Sequence, residues 1–124
     1  MDVESFKSQL KAPLKAAGFR KTGSTWRRAS HTSVAVLNVQ KSQWGPEHYI
    51  NLGVYYFSLG SDTSPPENRC HVRERAQLQA TPRLVEDALA WFDSVETLEK
   101  VGLLLKAGGL RSAAVSRAVH ATAA

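Results

Sequence analysis

Apolar residues recur every three or four positions at Val3, Phe6, Leu10, Leu14 and Ala17, the spacing that lines one face of an α-helix. Lys7, Lys11 and Lys15 fall on the opposite side. Asp2 stands where an N-cap is expected, and Gly18 followed by Phe19 reads as a left-handed stop. Pro13 lacks a backbone donor, so the helix is expected to kink or divide there. After Gly18 the period changes to two. Strand candidates follow at 19–29, 33–42 and 48–58, an antiparallel meander turned at Ala29-Ser30-His31 and again over 43–47, around Gly45-Pro46. Residues 59–68, LGSDTSPPEN, have the composition of an exposed mobile loop, and a fourth short strand is expected over 70–78.

The helical period then returns. Thr81-Pro82 is a helix-start pair, and Leu84, Val85, Ala88, Leu89 and Phe92 form its apolar stripe. Asp93 with Glu96 has the pattern of a capping box, Val95, Leu98, Val101 and Leu105 form a further stripe, and Gly108-Gly109 ends it. Residues 108–124, rich in Ala and Ser, are expected as a weak helix or a frayed tail. These elements predict one α+β domain over residues 1–107. Its N-terminal helix lies on a three- to four-stranded antiparallel sheet, and the C-terminal helices pack on the same sheet face. The other face is left open or partly covered.

Composition narrows the function classes. With 124 residues, 43% of them apolar and 22% charged, the chain can bury one core without disulfides or a structural metal. It has one cysteine, Cys70, and no run of about 18 apolar residues, and MDVESFKSQL lacks the basic and apolar regions of a secretory signal. A cytoplasmic location with no membrane partner is the expectation. The net charge of +5 is uneven: residues 1–31 carry seven Lys/Arg against two acids. A solvated helix face accounts for this, and binding to nucleic acid is the alternative.

Candidate chemistry gathers on one face of the predicted sheet. Strand parity puts Ala35, Leu37 and Val39 with Ile50, Leu52 and Val54 on a core face, and Val34, Val36, Asn38 and Gln40 with Tyr49, Asn51, Tyr55 and Phe57 on the other. An extended 70–75 segment adds His71, Arg73 and Arg75 to one side. The candidate binding set is therefore Asn38, Gln40, Tyr49, Asn51, Tyr55, His71, Arg73 and Arg75, in which rings stack, amides hydrogen-bond and guanidinium groups grip an anion. A structural alternative competes: the amides satisfy backbone, and the arginines pair with Glu47, Glu67 or Glu74. Trp44, in the turn over 43–47, is a candidate interface anchor.

No catalytic residue, metal or cofactor is expected. Cys70 and His71 are adjacent and point apart in a strand, and His31, His48 and His120 lack ligand spacing. Glu86-Asp87 and Glu96-Glu99 lie on helix exteriors, and Gly108-Gly109 closes a helix where a phosphate loop would open one.

Five stretches, LKAAGFRK (14–21), LNVQKSQWG (37–45), YINLGVYY (49–56), CHVRER (70–75) and LAWFDSVETLEKV (89–101), together resemble a bacterial domain-of-unknown-function family, number 4304, over residues 5–105 or so. Relatives usually carry a longer connection after the CHVRER stretch, so the resemblance does not fix the geometry beyond residue 76. It implies a fold and an order of motifs, with no catalytic residue to carry over. The expected function is a non-catalytic binding module holding a protein or small anionic ligand on the open sheet face, an immunity- or antitoxin-like inhibitor being one example. An enzyme or nucleotide-binding protein using the same face is the alternative. Nonspecific nucleic-acid binding through the basic N-terminal region is a second.

Overall fold

A computed structural model of the chain describes residues 3–41, 48–76 and 83–123. Helix α1, Val3–Ala16, buries Phe6, Leu10 and Leu14. It runs through Pro13 as one helix, so of the kink or division expected there the division does not occur. Pro13 sits on the exposed side, so its ring faces solvent and the helix forfeits one backbone bond there. Phe19 N–H donates to Leu14 O at 2.9 Å and Gly18 N–H to Lys15 O at 3.0 Å, which closes the helix where the glycine predicts.

The expected first strand, 19–29, is a hairpin of β1, Arg20–Thr22, and β2, Thr25–Ala29. Gly23 has φ of 62°, and a two-residue turn between twisted strands requires this left-handed backbone. Strands β3, Ser33–Lys41, and β4, His48–Tyr56, form the long central pair, and β5, Val72–Ala76, follows on β4. The Ala/Ser-rich tail contributes β6, Ala114–Val115, and α4, Arg117–Ala123. The sheet therefore has six antiparallel strands in chain order where three or four were expected. Splitting the first candidate and adding the two-residue β6 account for the difference.

Helices α2, Leu84–Ser94, and α3, Leu98–Lys106, join α1 and α4 around the main core. Leu84, Ala88, Phe92, Val95, Val101 and Val119 meet the sheet face that carries Trp26, Leu37, Val39, Ile50, Leu52, Val54 and Val72. The class is α+β, as the patterning predicts. Helix α3 is capped by Thr97, whose Oγ1 accepts from Lys100 N at 3.2 Å. The expected Asp93/Glu96 box does not form, because Asp93 is still inside α2. Asp2, the turn over 43–47 with Trp44, the Thr81-Pro82 start and the end of the 70–78 strand lie outside the described residues.

The outer sheet face is half covered. The loop after β4 folds back across it and is tied down along its length. Asp62 N–H donates to Tyr55 OH at 3.2 Å, and Arg27 Nε donates to Pro65 O at 2.9 Å. A short 3-10 turn at Glu67–Arg69 then brings Cys70 onto the strands. Val34, Val36, Tyr55 and Cys70, with Phe57 against them, make a second small core. Gly53 leaves room for it, since a Cβ there would stand 2.7 Å from the Cβ of Cys70. The exposed mobile loop expected over 59–68 is thus a cover, drawn in by two valines that would otherwise face water. No helix among the described residues is long and apolar enough to cross a membrane.

Both sheet faces near Val34 are accordingly intolerant of truncation. Leu37→Ala should cost about 2–5 kcal/mol, as large-to-small changes in packed interiors do. Val34→Ala, at a residue 1% exposed, should cost about 2 kcal/mol, two buried methylenes plus the cavity left behind. Urea titration of the two variants checks this, and a Val34→Ala loss below about 0.5 kcal/mol, the range of surface substitutions, would show that the loop does not seal that face.

Candidate functional site

Beyond the loop, the uncovered half of the outer face carries a row of polar residues set by register. Thr25 on β2 faces Asn38 on β3, Asn38 faces Asn51 on β4, and Asn51 faces Arg75 on β5. Gln40 and Tyr49 stand opposite each other two residues along. The row is hydrogen-bonded end to end. Arg75 Nε donates to Asn51 Oδ1 at 3.1 Å. Asn51 Nδ2 donates to Gln40 Oε1 at 3.0 Å and to Asn38 Oδ1 at 3.4 Å. Asn38 Nδ2 in turn donates to Thr25 Oγ1 at 3.0 Å.

The direction of these bonds has a physical cause. A guanidinium group can only donate, so the Asn51 oxygen must face Arg75 and its nitrogen must face the other two amides. Asn51 is 6% exposed, and a buried amide left without partners would cost about 1–3 kcal/mol. The guanidinium carbon of Arg75 also lies 4.5 Å from the centre of the Tyr49 ring, a cation–π arrangement. Arg75 is thus held from two sides by neutral groups.

Arg73, on the same face of β5, is differently placed. Its Nε and Nη2 donate to the two carboxylate oxygens of Glu67 at 3.0 and 3.2 Å. That bond raises the Arg73 pKa further above its ordinary value. The charge of Arg73 is matched inside the molecule. Arg75 has no carboxylate partner among the described residues. Between the two arginines lies an open cavity of about 400 Å³, floored by Thr25, Asn38, Gln40 and Asn51 and walled by Glu67 and Asn68 from the loop.

Of the eight candidate residues, Asn38, Gln40, Tyr49, Asn51, Arg73 and Arg75 come together here. Tyr55 and His71 do not. Tyr55 belongs to the small core under the loop. His71 lies against it, with ring centres 4.4 Å apart, and its Nδ1 accepts from Tyr56 N–H at 3.0 Å. The β4–β5 ladder ends at Val54 and Val72, and His71 takes the backbone donor just past that end. Burial lowers the His71 pKa from 6.5. The neighbouring Cys70 thiol is pushed up to about 12, by burial first and then by the Glu67 carboxylate, and so lacks the thiolate that nucleophilic or metal chemistry needs. Among the described residues no group of three or more His, Cys, Asp or Glu is placed to hold a metal ion.

Thr25, Glu67 and Asn68 were not among the residues singled out from sequence as a binding set. Thr25 carried a signal, being a strand residue of matching parity two strands from Asn51. The place of Glu67 depends on the fold-back of a loop, which no periodicity reports. Elsewhere, Lys11 and Lys15 of α1 and Arg20 and Lys21 of β1 line a groove of about 510 Å³ above Phe19 and Trp26, with no carboxylate in its walls. Lys7 is paired with Glu4 at 3.6 Å.

An antiparallel meander with helices on one face and a directed polar network on the other defines an α+β domain. The chain belongs to the family described as Domain of unknown function (DUF4304), which it matches over residues 10–101. That span contains the whole network from Thr25 to Arg75, while β6 and α4 lie beyond it. Searches of curated proteins and of solved structures give no match.

The His71 contact has a pH signature. Its Nδ1 accepts the Tyr56 N–H only when unprotonated, and its folded pKa lies below the unfolded value of 6.5. The unfolded chain therefore binds the proton first on acidification, so this contribution to stability is complete above pH 6.5 and is lost as pH falls through the folded pKa. His71→Asn keeps an acceptor oxygen and removes the titration. Urea midpoints between about pH 7 and 5 should fall more steeply for the wild type than for this variant, and equal slopes would contradict the assignment.

Proposed function

We propose that this domain is a non-catalytic binding module that takes an anionic ligand, small or part of a protein partner, on the face built from Asn38, Gln40, Asn51 and Arg75. The observation that carries this is the state of Arg75. It is oriented by Asn51 and Tyr49, it borders an open cavity, and no carboxylate neutralises it among the described residues. An arginine held in position before its ligand arrives loses little freedom on binding, and its planar fork suits an oxyanion. The floor groups are amides and a hydroxyl, which bind without exchanging protons near neutral pH. The one carboxylate of the lining, Glu67, is bound to Arg73, and the neighbouring Cys70 and His71 are committed to packing and to the backbone. A lone buried thiol suits a reducing, cytoplasmic setting. An immunity- or antitoxin-like inhibitor is one kind of protein this size and chemistry would serve.

A second reading rests on the groove of Lys11, Lys15, Arg20 and Lys21, four cations from two elements with no acid among them. It would suit a nucleic-acid backbone. Phe19 and Trp26 beneath it are 3% and 1% exposed, so bases would find no stacking surface and binding would depend steeply on salt.

The test of the main reading is an NMR titration that follows the side-chain amides of Asn51 and Gln40, with sodium acetate, phosphate or sulfate replacing chloride at constant ionic strength. At least one anion should shift both amides saturably. Arg75→Ala should weaken that binding by about 1.5–3 kcal/mol, the usual worth of a hydrogen bond to a charged group. Its melting temperature should stay within about 4 °C of the wild type, since the side chain is exposed. Absence of any saturable shift, or unchanged binding in Arg75→Ala, contradicts the reading.

A further inference from the structure

We infer, resting on that reading of the site, that its ligand is a carboxylate, and that a phosphate dianion is selected against. Two independent features of the cavity lead there. The first is the polarity of the network. Because Arg75 forces the Asn51 oxygen toward itself, Asn51 Nδ2 occupies the oxygens of both Gln40 and Asn38. Among the described residues the amide protons of Gln40 meet no acceptor and are left to offer. Thr25 accepts from Asn38, so its hydroxyl proton is free to donate, and Arg75 keeps its two terminal nitrogens once Nε is committed. On the floor of the cavity the groups turned to a ligand are therefore hydrogen-bond donors, while the acceptors of the lining, Glu67 and Asn68, stand on the loop wall. A ligand made of acceptors, an oxyanion, matches that floor.

The second feature is charge. Two arginines and one glutamate line the cavity, a surplus of one positive charge. Arg27 shares the sheet face, but its Nε is turned to Pro65 O and it does not line the cavity. A singly charged carboxylate balances the surplus. A phosphate dianion would overbalance it and would lie beside the Glu67 carboxylate, which is bound to Arg73 and cannot withdraw. The Arg75 terminal pair suits the two oxygens of a planar carboxylate.

The carboxylate has two sources, a free small acid or the acidic side chain or chain end of a protein. Amide-monitored titrations at pH 8, at matched ionic strength, compare acetate with phosphate, and N-acetyl-triglycine with its C-terminal amide. Acetate should bind the wild type more tightly than phosphate, by about fivefold or more for one unbalanced charge at this exposure. Glu67→Gln removes the carboxylate from the wall and should erase or invert that preference. Asn68→Asp, at an exposed position, breaks no described contact. It should weaken both anions, phosphate more. N-acetyl-triglycine binding well above acetate, with its amide inert, assigns the site to a protein chain; equal binding of N-acetyl-triglycine and acetate assigns it to a small acid. Phosphate binding the wild type as tightly as acetate would overturn the carboxylate inference and leave the anion site standing. No shift with either anion would overturn both.

Discussion

The register of β3 against β4 is the constraint on which both the core and the site depend. Ser33–Lys41 runs antiparallel to His48–Tyr56 with Leu37 opposite Leu52 and, one step on, Asn38 opposite Asn51. Side chains alternate along a strand, so one pairing sets what is buried under the helices and what faces outward. A slip of one residue in β4 would turn Asn51 into the apolar core and set Leu52 and Ile50 outside. The desolvation of an unpartnered amide and the exposure of two aliphatic side chains both oppose it. Hydrophobic burial on one face thus holds the amides in line on the other, with no stabilising role required of the amides themselves.

From that row, the difference between Arg73 and Arg75 follows. They are two residues apart on β5 and share a face, yet among the described residues Arg73 meets a carboxylate and Arg75 does not. The loop after β4 is pulled over the sheet where Val34, Val36 and Tyr55 need cover. Its descent through Glu67 ends at Cys70, against Gly53. Gly53 faces Arg73 in the ladder, so the Glu67 carboxylate arrives within reach of Arg73 and stops there. Arg75 stands beyond the covered half and is held by Asn51 and Tyr49 instead. Packing of an apolar patch thereby leaves a cation poised at the edge of a cavity.

How much of this was legible in the sequence divides by range of interaction. The helical stripes of α1, α2 and α3 and the alternation of β3 and β4 are local periodicities, and they led directly to the core face and to Asn38, Gln40, Tyr49 and Asn51. Arg73 and Arg75 were placed by the same parity. Parity also put His71 on the outer face, where it packs on Tyr55, but it lies past the end of the ladder at Val72, under the loop and away from the cavity, with its Nδ1 turned to a backbone donor. The 19–29 segment reads as one strand although Gly23-Ser24 is a turn pair, since apolar alternation there is too sparse to show the break. The loop over 59–70 is polar in composition, and its closure depends on Val34, Val36 and Cys70, partners distant in sequence. The two residues of β6 are too few to make a period, and Val119 alone anchors α4 in the core.

The central claim is that Arg75 is held by Asn51 and Tyr49 and so sets the polarity of the whole amide row. The side-chain Nε–H of Arg75 reports this directly by NMR. Proton exchange of this group should be slowed relative to a solvated arginine by its bond to Asn51 Oδ1, a protection that should vanish in Asn51→Leu, and its resonance should be shifted by the Tyr49 ring, a shift that should vanish in Tyr49→Leu. An Arg75 Nε–H that exchanges and resonates like that of a free arginine in the wild type would contradict the account.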